Sequence, residues 1–218
     1  MTTQAERPSA TFSFGAAMAG EPCTVHGLAD VPHPLPMRRW AGLADASDEA
    51  VLAHCRGPVL DVGCGPGRMS GHLAARGVQV LGLDLVPEAV AATRSRGASA
   101  VHRDVFDALP GDGSWASVLL ADGNIGIGGD PVRLLRRVRR LLAADGRVVV
   151  DLALPGSGHA RHMLELECGG RRSAPFPWTV LGTECLPGVA AAAGLRVDAV
   201  HDHDGRWFAV LGVAGRRG

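Results

Sequence analysis

The chain has no lysine, no tyrosine and a single asparagine, Asn124. All 22 basic residues are therefore arginine, which reads as codon bias. Neither lysine nor tyrosine is there to act as a general base or nucleophile. An excess of charge is missing too: 22 basic residues face 22 acidic ones, for a formal net charge of zero. A protein that lives on a nucleic-acid backbone usually carries a basic excess, so no nucleic-acid partner is expected. No apolar run is long enough to span a bilayer, so no membrane partner is expected. The opening MTTQAERPSATF lacks the basic start and apolar core of a secretory signal, which points to the cytoplasm. Five cysteines (Cys23, Cys55, Cys64, Cys168 and Cys185) are odd in number and widely spaced, with no CxxC. Reduced thiols are the expectation, and no clustered ligands suggest a metal.

What is present is ordinary globular material. The 218 residues are 46% hydrophobic and 20% charged. A chain of this length buries roughly 70% of its unfolded surface without staples. Residues 1 to about 10 are polar and expected to fray. Residues 31–40 hold three closely spaced prolines and should be extended rather than helical. Ser47, followed by Asp48 and Glu49, reads as the cap of a helix running through Cys55.

From residue 59 the pattern alternates. Apolar strands are expected at 59–62, 78–83, 98–102, 117–121 and 147–152. Helices are expected at 68–76, 87–96 and 131–144. That order predicts a parallel sheet with helices on both faces. Residues 153–182 are rich in Gly and Pro, with an antiparallel pair expected around Gly169-Gly170. A helix from Thr183 and Glu184 through Ala193 should precede a hairpin of 195–201 and 206–213. The fold class is thus α/β: a doubly wound, Rossmann-like, seven-stranded mixed sheet ending in an antiparallel hairpin.

The chemistry-bearing stretch is Asp61-Val62-Gly63-Cys64-Gly65-Pro66-Gly67-Arg68. A strand runs into glycines at alternate positions and then into a helix. Glycines there let a ligand lie against the backbone, and the helix start offers free N–H groups. Asp84 ends the next strand, 21 residues after Gly63, where an acid accepts hydrogen bonds from ribose hydroxyls. A nucleoside-containing cofactor at the C-terminal edge of the sheet follows. A dinucleotide fingerprint would need its third glycine at position 68, which is Arg68.

The spacing instead resembles that of class I methyltransferases that use S-adenosylmethionine, of the small-molecule type in which this domain stands alone. Their first motif, D/E-x-G-x-G-x-G, is complete here at Asp61, Gly63, Gly65 and Gly67. The likeness continues through GLDLVPEAV (82–90), Asp104 and Asp122, covering roughly residues 45–213. It implies S-adenosylmethionine as cofactor. Asp61, Gly63, Cys64, Gly65, Gly67 and Arg68 would lie at its methionine end, Asp84 and Leu85 at the ribose, and Asp104 and Val105 at the adenine. Asp122, Gly123 and Asn124 would lie near the methyl group. The acid often found before the fourth strand is absent, and the fourth motif is not the Asn-Pro-Pro-aromatic form. That weakens any claim for an exocyclic amine of nucleic acid.

The expected reaction is O- or N-methylation of a small molecule. Residues 1–45 would form a cover and 153–182 a substrate lid on a single domain spanning 1–218. His33, His159 and His162 are candidates for a general base, and Arg39, Trp40 and Trp178 for substrate contacts; each could equally be a surface or packing residue. Arg133, Arg136, Arg137, Arg139 and Arg140 read as one solvated helix face. Three alternatives stand: a catalytically silent S-adenosylmethionine-binding partner or sensor, a nucleotide-dependent oxidoreductase, and methylation of a metalloid held by Cys23, Cys168 and Cys185.

Overall fold

The computed structural model describes residues 7–215. The expected frayed start falls partly on residues 1–6, outside the described residues. From there the chain forms helix α1 (Ala10–Met18), strands β1 (Cys23–His26) and β2 (His33–Pro34), and helices α2 (Met37–Trp40) and α3 (Ala46–Leu52). The alternating part follows as β3 (Val59–Val62), α4 (Arg68–Ala75), β4 (Val80–Asp84), α5 (Pro87–Ser95), β5 (Ser99–His102), β6 (Trp115–Leu120), α6 (Pro131–Leu141) and β7 (Leu142–Leu152). The last third contains β8 (His159–Cys168), β9 (Arg171–Arg172), β10 (Phe176–Leu181), α7 (Leu186–Ala192), β11 (Leu195–His203) and β12 (Arg206–Val213).

The seven-stranded sheet has the order β11-β12-β7-β6-β3-β4-β5. Strands β5, β4, β3, β6 and β7 run parallel, and β12 joins β7 antiparallel. Its strands are apolar on both faces because both are covered. Period-2 alternation sorts them: Leu60, Val118, Leu120, Val148 and Val150 pack under α6 and α7, and Val59, Leu119 and Val149 under α3 and α4. Neighbours β3 and β6 lead away in opposite directions, so a crevice opens at their C-terminal ends. The residues after β3 and β6 flank that crevice.

Three local expectations change. The Pro-rich stretch is extended only at β2, and Pro36 then caps the short helix α2. Proline is tolerated there because a first-turn N–H would be unpaired anyway. The cap of α3 is Asp45, not Ser47, in a reciprocal capping box with Asp48, and the helix ends at Leu52.

The third change is larger. Strands from the two expected cover segments form a second sheet, β10-β8-β1-β2, with β9 hairpinned to β8. The pair around Gly169-Gly170 is present, but the long partners of β8 are β1 and β10. Cys23 lies opposite Cys168 in register, and the two form a disulfide across 145 residues of sequence. This corrects the expectation of five reduced thiols; Cys55, Cys64 and Cys185 are free. Wide spacing concealed a pair that only strand register brings together. Among the described residues no helix is long and apolar enough to cross a membrane.

Leu120 is fully buried in the larger core cluster. Leu120→Ala should lower stability by about 2–5 kcal/mol, read as a lower urea midpoint with unchanged slope.

Candidate functional site

The loop after β3 is built on left-handed backbone at Gly63 (φ 70°), Gly65 (φ 53°) and Gly67 (φ 84°). A Cβ on Gly63 would stand 2.7 Å from the Asn124 amide nitrogen, and one on Gly67 the same distance from Thr93 Cα. Above Gly65 nothing lies within 4 Å, so the middle of the loop faces open space. Three clasps hold that shape. Asn124 Nδ2 donates to the carbonyls of Val62 (2.8 Å) and Gly63 (3.0 Å). Thr93 donates to the Gly65 carbonyl at 2.9 Å. The Gly65 amide donates to Asp84 Oδ2, and the Val86 amide to Asp84 Oδ1, both at 2.9 Å.

Asp61 lies beneath the loop, 1% exposed, and accepts from the Ser70 hydroxyl at 2.6 Å. Burial pushes its carboxyl up to about 6, against the Ser70 hydrogen bond and with the charges of Asp122 and Asp84. Burial also raises Asp84, opposed by its backbone hydrogen bonds. Leu85 leaves a half-exposed apolar side chain beside Asp84. Asp104 accepts from the Phe106 amide at 2.9 Å, and the buried Val105 receives Arg137 on its carbonyl. The Cys64 side chain is buried against Gly82 and Thr93, and burial raises its thiol.

Beside the loop lies a buried ion cluster. Arg68, the first residue of α4, pairs with Asp48 of α3 and at 2.5 Å with Asp122. Arg206, the first residue of β12, reaches Asp48 and Asp151, each at 2.5 Å. The Asp122 amide donates to Asp151 Oδ2 at 2.7 Å. Asp122 sits at φ 51°, a left-handed conformation rarely adopted by a residue with a side chain, and Gly123 follows at φ 81°. Burial would raise the carboxyl of Asp48, but hydrogen bonds from Arg68, the Asp45 amide and Arg206 outweigh it and hold it at about 2. Burial raises Asp151 against its Arg206 pairing.

A cleft of about 840 Å³ opens above this cluster. Asp122 and Gly123 line it, and so do the expected Arg39 and Trp40. Trp207, His203 and Ser157 join them, along with the cluster residues Asp151 and Arg206. His33, His159 and His162 do not line it. All three lie on the second sheet: His33 and His159 are exposed, and the half-buried His162 hydrogen-bonds the Gly27 carbonyl. Trp178 is also elsewhere: it bridges to Ile127 and packs over Gly126. Cys23 and Cys168 are bonded to each other and Cys185 is a free thiol, so the three are not a thiol trio. Sequence reasoning placed no role on Asp151, Arg206 or Trp207. An acid ending a parallel strand was the one available signal, at Asp151.

Residues 59–146 match the family described as "Methyltransferase domain". A "Tabtoxin biosynthesis enzyme" of Pseudomonas amygdali pv. tabaci is 35% identical over 68 residues, 31% of this chain. The aligned region spans only 27% of that protein's length. Among solved structures, a SAM-dependent methyltransferase from Bacteroides fragilis in complex with S-adenosyl-L-homocysteine superposes with a TM-score of 0.81. It covers 97% of this chain and 98% of its own, at 21% identity. The 1,6-didemethyltoxoflavin-N1-methyltransferase of Burkholderia thailandensis, with 1,6-didemethyltoxoflavin and S-adenosylhomocysteine bound, gives a TM-score of 0.58 at 18% identity. It covers 78% of this chain and 77% of that one. At such identities the likeness is one of fold.

Two buried carboxyls should act oppositely on stability. Asp48 is depressed from 3.8 to about 2, so its contribution is full above about pH 4 and is lost as pH falls towards 2. Asp48→Asn should cost about 3–5 kcal/mol at neutral pH, because two guanidiniums lose their shared partner. Asp61 is raised from 3.8 to about 6, so its ionisation costs stability as pH climbs from about 4 to 6. Asp61→Asn keeps an acceptor for Ser70 and should gain roughly 3 kcal/mol over wild type at pH 7, and nothing at pH 4. Urea midpoints across pH 3–7 check both.

Proposed function

We propose that this chain, a class I S-adenosylmethionine-dependent methyltransferase by its fold and by the domain match over residues 59–146, methylates an oxygen or nitrogen of a small molecule. The observation that carries the reading is the open face of Gly65, whose amide is tied to Asp84. Side chains flank the loop at Gly63 and Gly67 and leave its centre clear, which suits a ligand lying against backbone. Each oxygen of Asp84 takes one amide and has a lone pair to spare, which suits ribose hydroxyls.

In this reading the backbone of residues 63–67 holds the methionine end, with Asp61 acting from beneath the loop. Asp84 and Leu85 hold the ribose. Asp104 and Val105 border the adenine, and Asp122, Gly123 and Asn124 the methyl group. Arg68 serves by positioning Asp122, since its guanidinium is committed there. Bound S-adenosylmethionine supplies a methyl group already activated by its sulfonium charge. The chain's task is then alignment and exclusion of water. Residues 1–45 and 153–182 serve as cover and lid, held together as the second sheet. An acceptor hydroxyl would give its proton to His203, which lines the cleft where the three expected histidines do not.

The likeness of fold to the 1,6-didemethyltoxoflavin-N1-methyltransferase supports a small acceptor. A cytoplasmic location would keep Cys23 and Cys168 as thiols. Alkylation of intact cells, read by mass spectrometry, labels both there and neither if the bond persists.

Calorimetric titration tests the cofactor. S-adenosylmethionine and S-adenosylhomocysteine should bind, NADH should not, and Asp84→Ala should weaken both adenosyl ligands at least tenfold. Binding of NADH alone would end the reading. Tight adenosyl binding without turnover on any acceptor would mark a silent binding protein instead.

A further inference from the structure

The charged groups of the cleft differ in how far they are already satisfied. Arg206 spans Asp48 and Asp151, and Arg68 spans Asp48 and Asp122. Asp151 takes Arg206 together with the Asp122 amide. Arg39 stands apart. Its side chain is 47% exposed, and its Nη2 lies 3.9 Å from Asp48 Oδ1, beyond hydrogen-bond reach. That same oxygen already accepts from Arg68 and Arg206. Three guanidiniums therefore converge on one carboxylate oxygen, and the outermost faces the cleft with its donors free among the described residues. Asp122 and Asp151 complete the pairing of Arg68 and Arg206, so Arg39 is the arginine left to receive an anion from the open side.

The surroundings narrow the anion. Asp122, Asp151 and Asp204 put three carboxylates on the same cleft, against Arg39 and Arg206. Arg39 is the one cleft arginine with no hydrogen-bonded carboxylate among the described residues, so it can offset one negative charge beside it, and the three carboxylates oppose a second. The planar fork of arginine fits a carboxylate with two parallel hydrogen bonds. Trp40, Trp207, Leu152 and Leu154 give the rest of the wall flat and apolar surface.

We propose that the acceptor is a monocarboxylic acid with a flat or apolar body, its carboxylate held by Arg39 and its body against Trp40 and Trp207. The word acceptor rests on the methyl-transfer reading; the carboxylate site itself rests on the cleft. Arg39 is then the residue that selects the substrate class, and the nucleophile is carried at the far end of the body, towards Asp122.

Calorimetry with benzoate, benzamide and inorganic phosphate, each with and without saturating S-adenosylhomocysteine, tests this on the whole chain. Benzoate should bind on the order of 1 mM. Benzamide and phosphate should bind at least tenfold more weakly. Arg39→Gln should bring benzoate down to the level of benzamide, and Arg39→Lys should fall between, while both variants keep wild-type affinity for S-adenosylhomocysteine. Equal binding of benzoate and benzamide, no benzoate binding, tighter phosphate binding, or an unchanged preference in Arg39→Gln would each overturn the proposal. Failure of S-adenosylhomocysteine to bind the wild type would instead strike the methyl-transfer reading. Benzoate selectivity that survives it would leave a carboxylate site with no acceptor role, and so would also overturn the proposal as stated.

Discussion

The fully buried carboxylate of Asp48 receives two arginines from different parts of the chain, Arg68 at the start of α4 and Arg206 at the start of β12. Through them it reaches Asp122 after β6 and Asp151 at the end of β7. A buried ion group is seldom a net gain over well-packed apolar residues. Its value here is positional. It fixes a helix start, two strand ends and a hairpin tip at one point beside the cleft. The left-handed backbone of Asp122 fits that account: its amide, its carboxylate and its neighbours are all held, so the unfavourable conformation is imposed by surroundings.

The glycine loop is held from the opposite side by groups that are unremarkable alone. Asn124 grips two carbonyls below it, Thr93 grips one beside it, and Asp84 receives an amide from it. Each clasp comes from a different strand or helix. The loop therefore depends on the relative placement of β3, β4, β6 and α5, and the parallel sheet supplies that placement.

What could be read in the sequence was local. Alternating strands and helices from residue 59 onward carry their own periodicity, and the glycines at 63, 65 and 67 with Asp84 carry their own spacing. The terminal hairpin announced itself at Asp202–Gly205. What could not be read depends on contacts across the chain. The second sheet joins β1 to β8, and nothing around Cys23 hints at residue 168. The Asp48 cluster leaves no periodic trace, because its members sit one to an element. The histidines failed for a related reason. Placement on strands of the second sheet keeps His33, His159 and His162 out of the cleft, while the hairpin tip carries His203 into it. Residues 31–40 carry the prolines of an extended stretch, yet Pro36 starts the helix that presents Arg39 and Trp40.

The pairing of β1 with β8 also orders events in time. Its two strands are separated by the whole alternating core, so during synthesis β1 emerges long before its partner exists. Contacts between distant residues close last, after nearer ones have reduced the loop that must be ordered. The sheet, the glycine loop and the first part of the Asp48 cluster can thus form while the N-terminal strand is still waiting. The nascent protein thus holds its glycine loop before its second sheet exists, and only the last third completes that sheet.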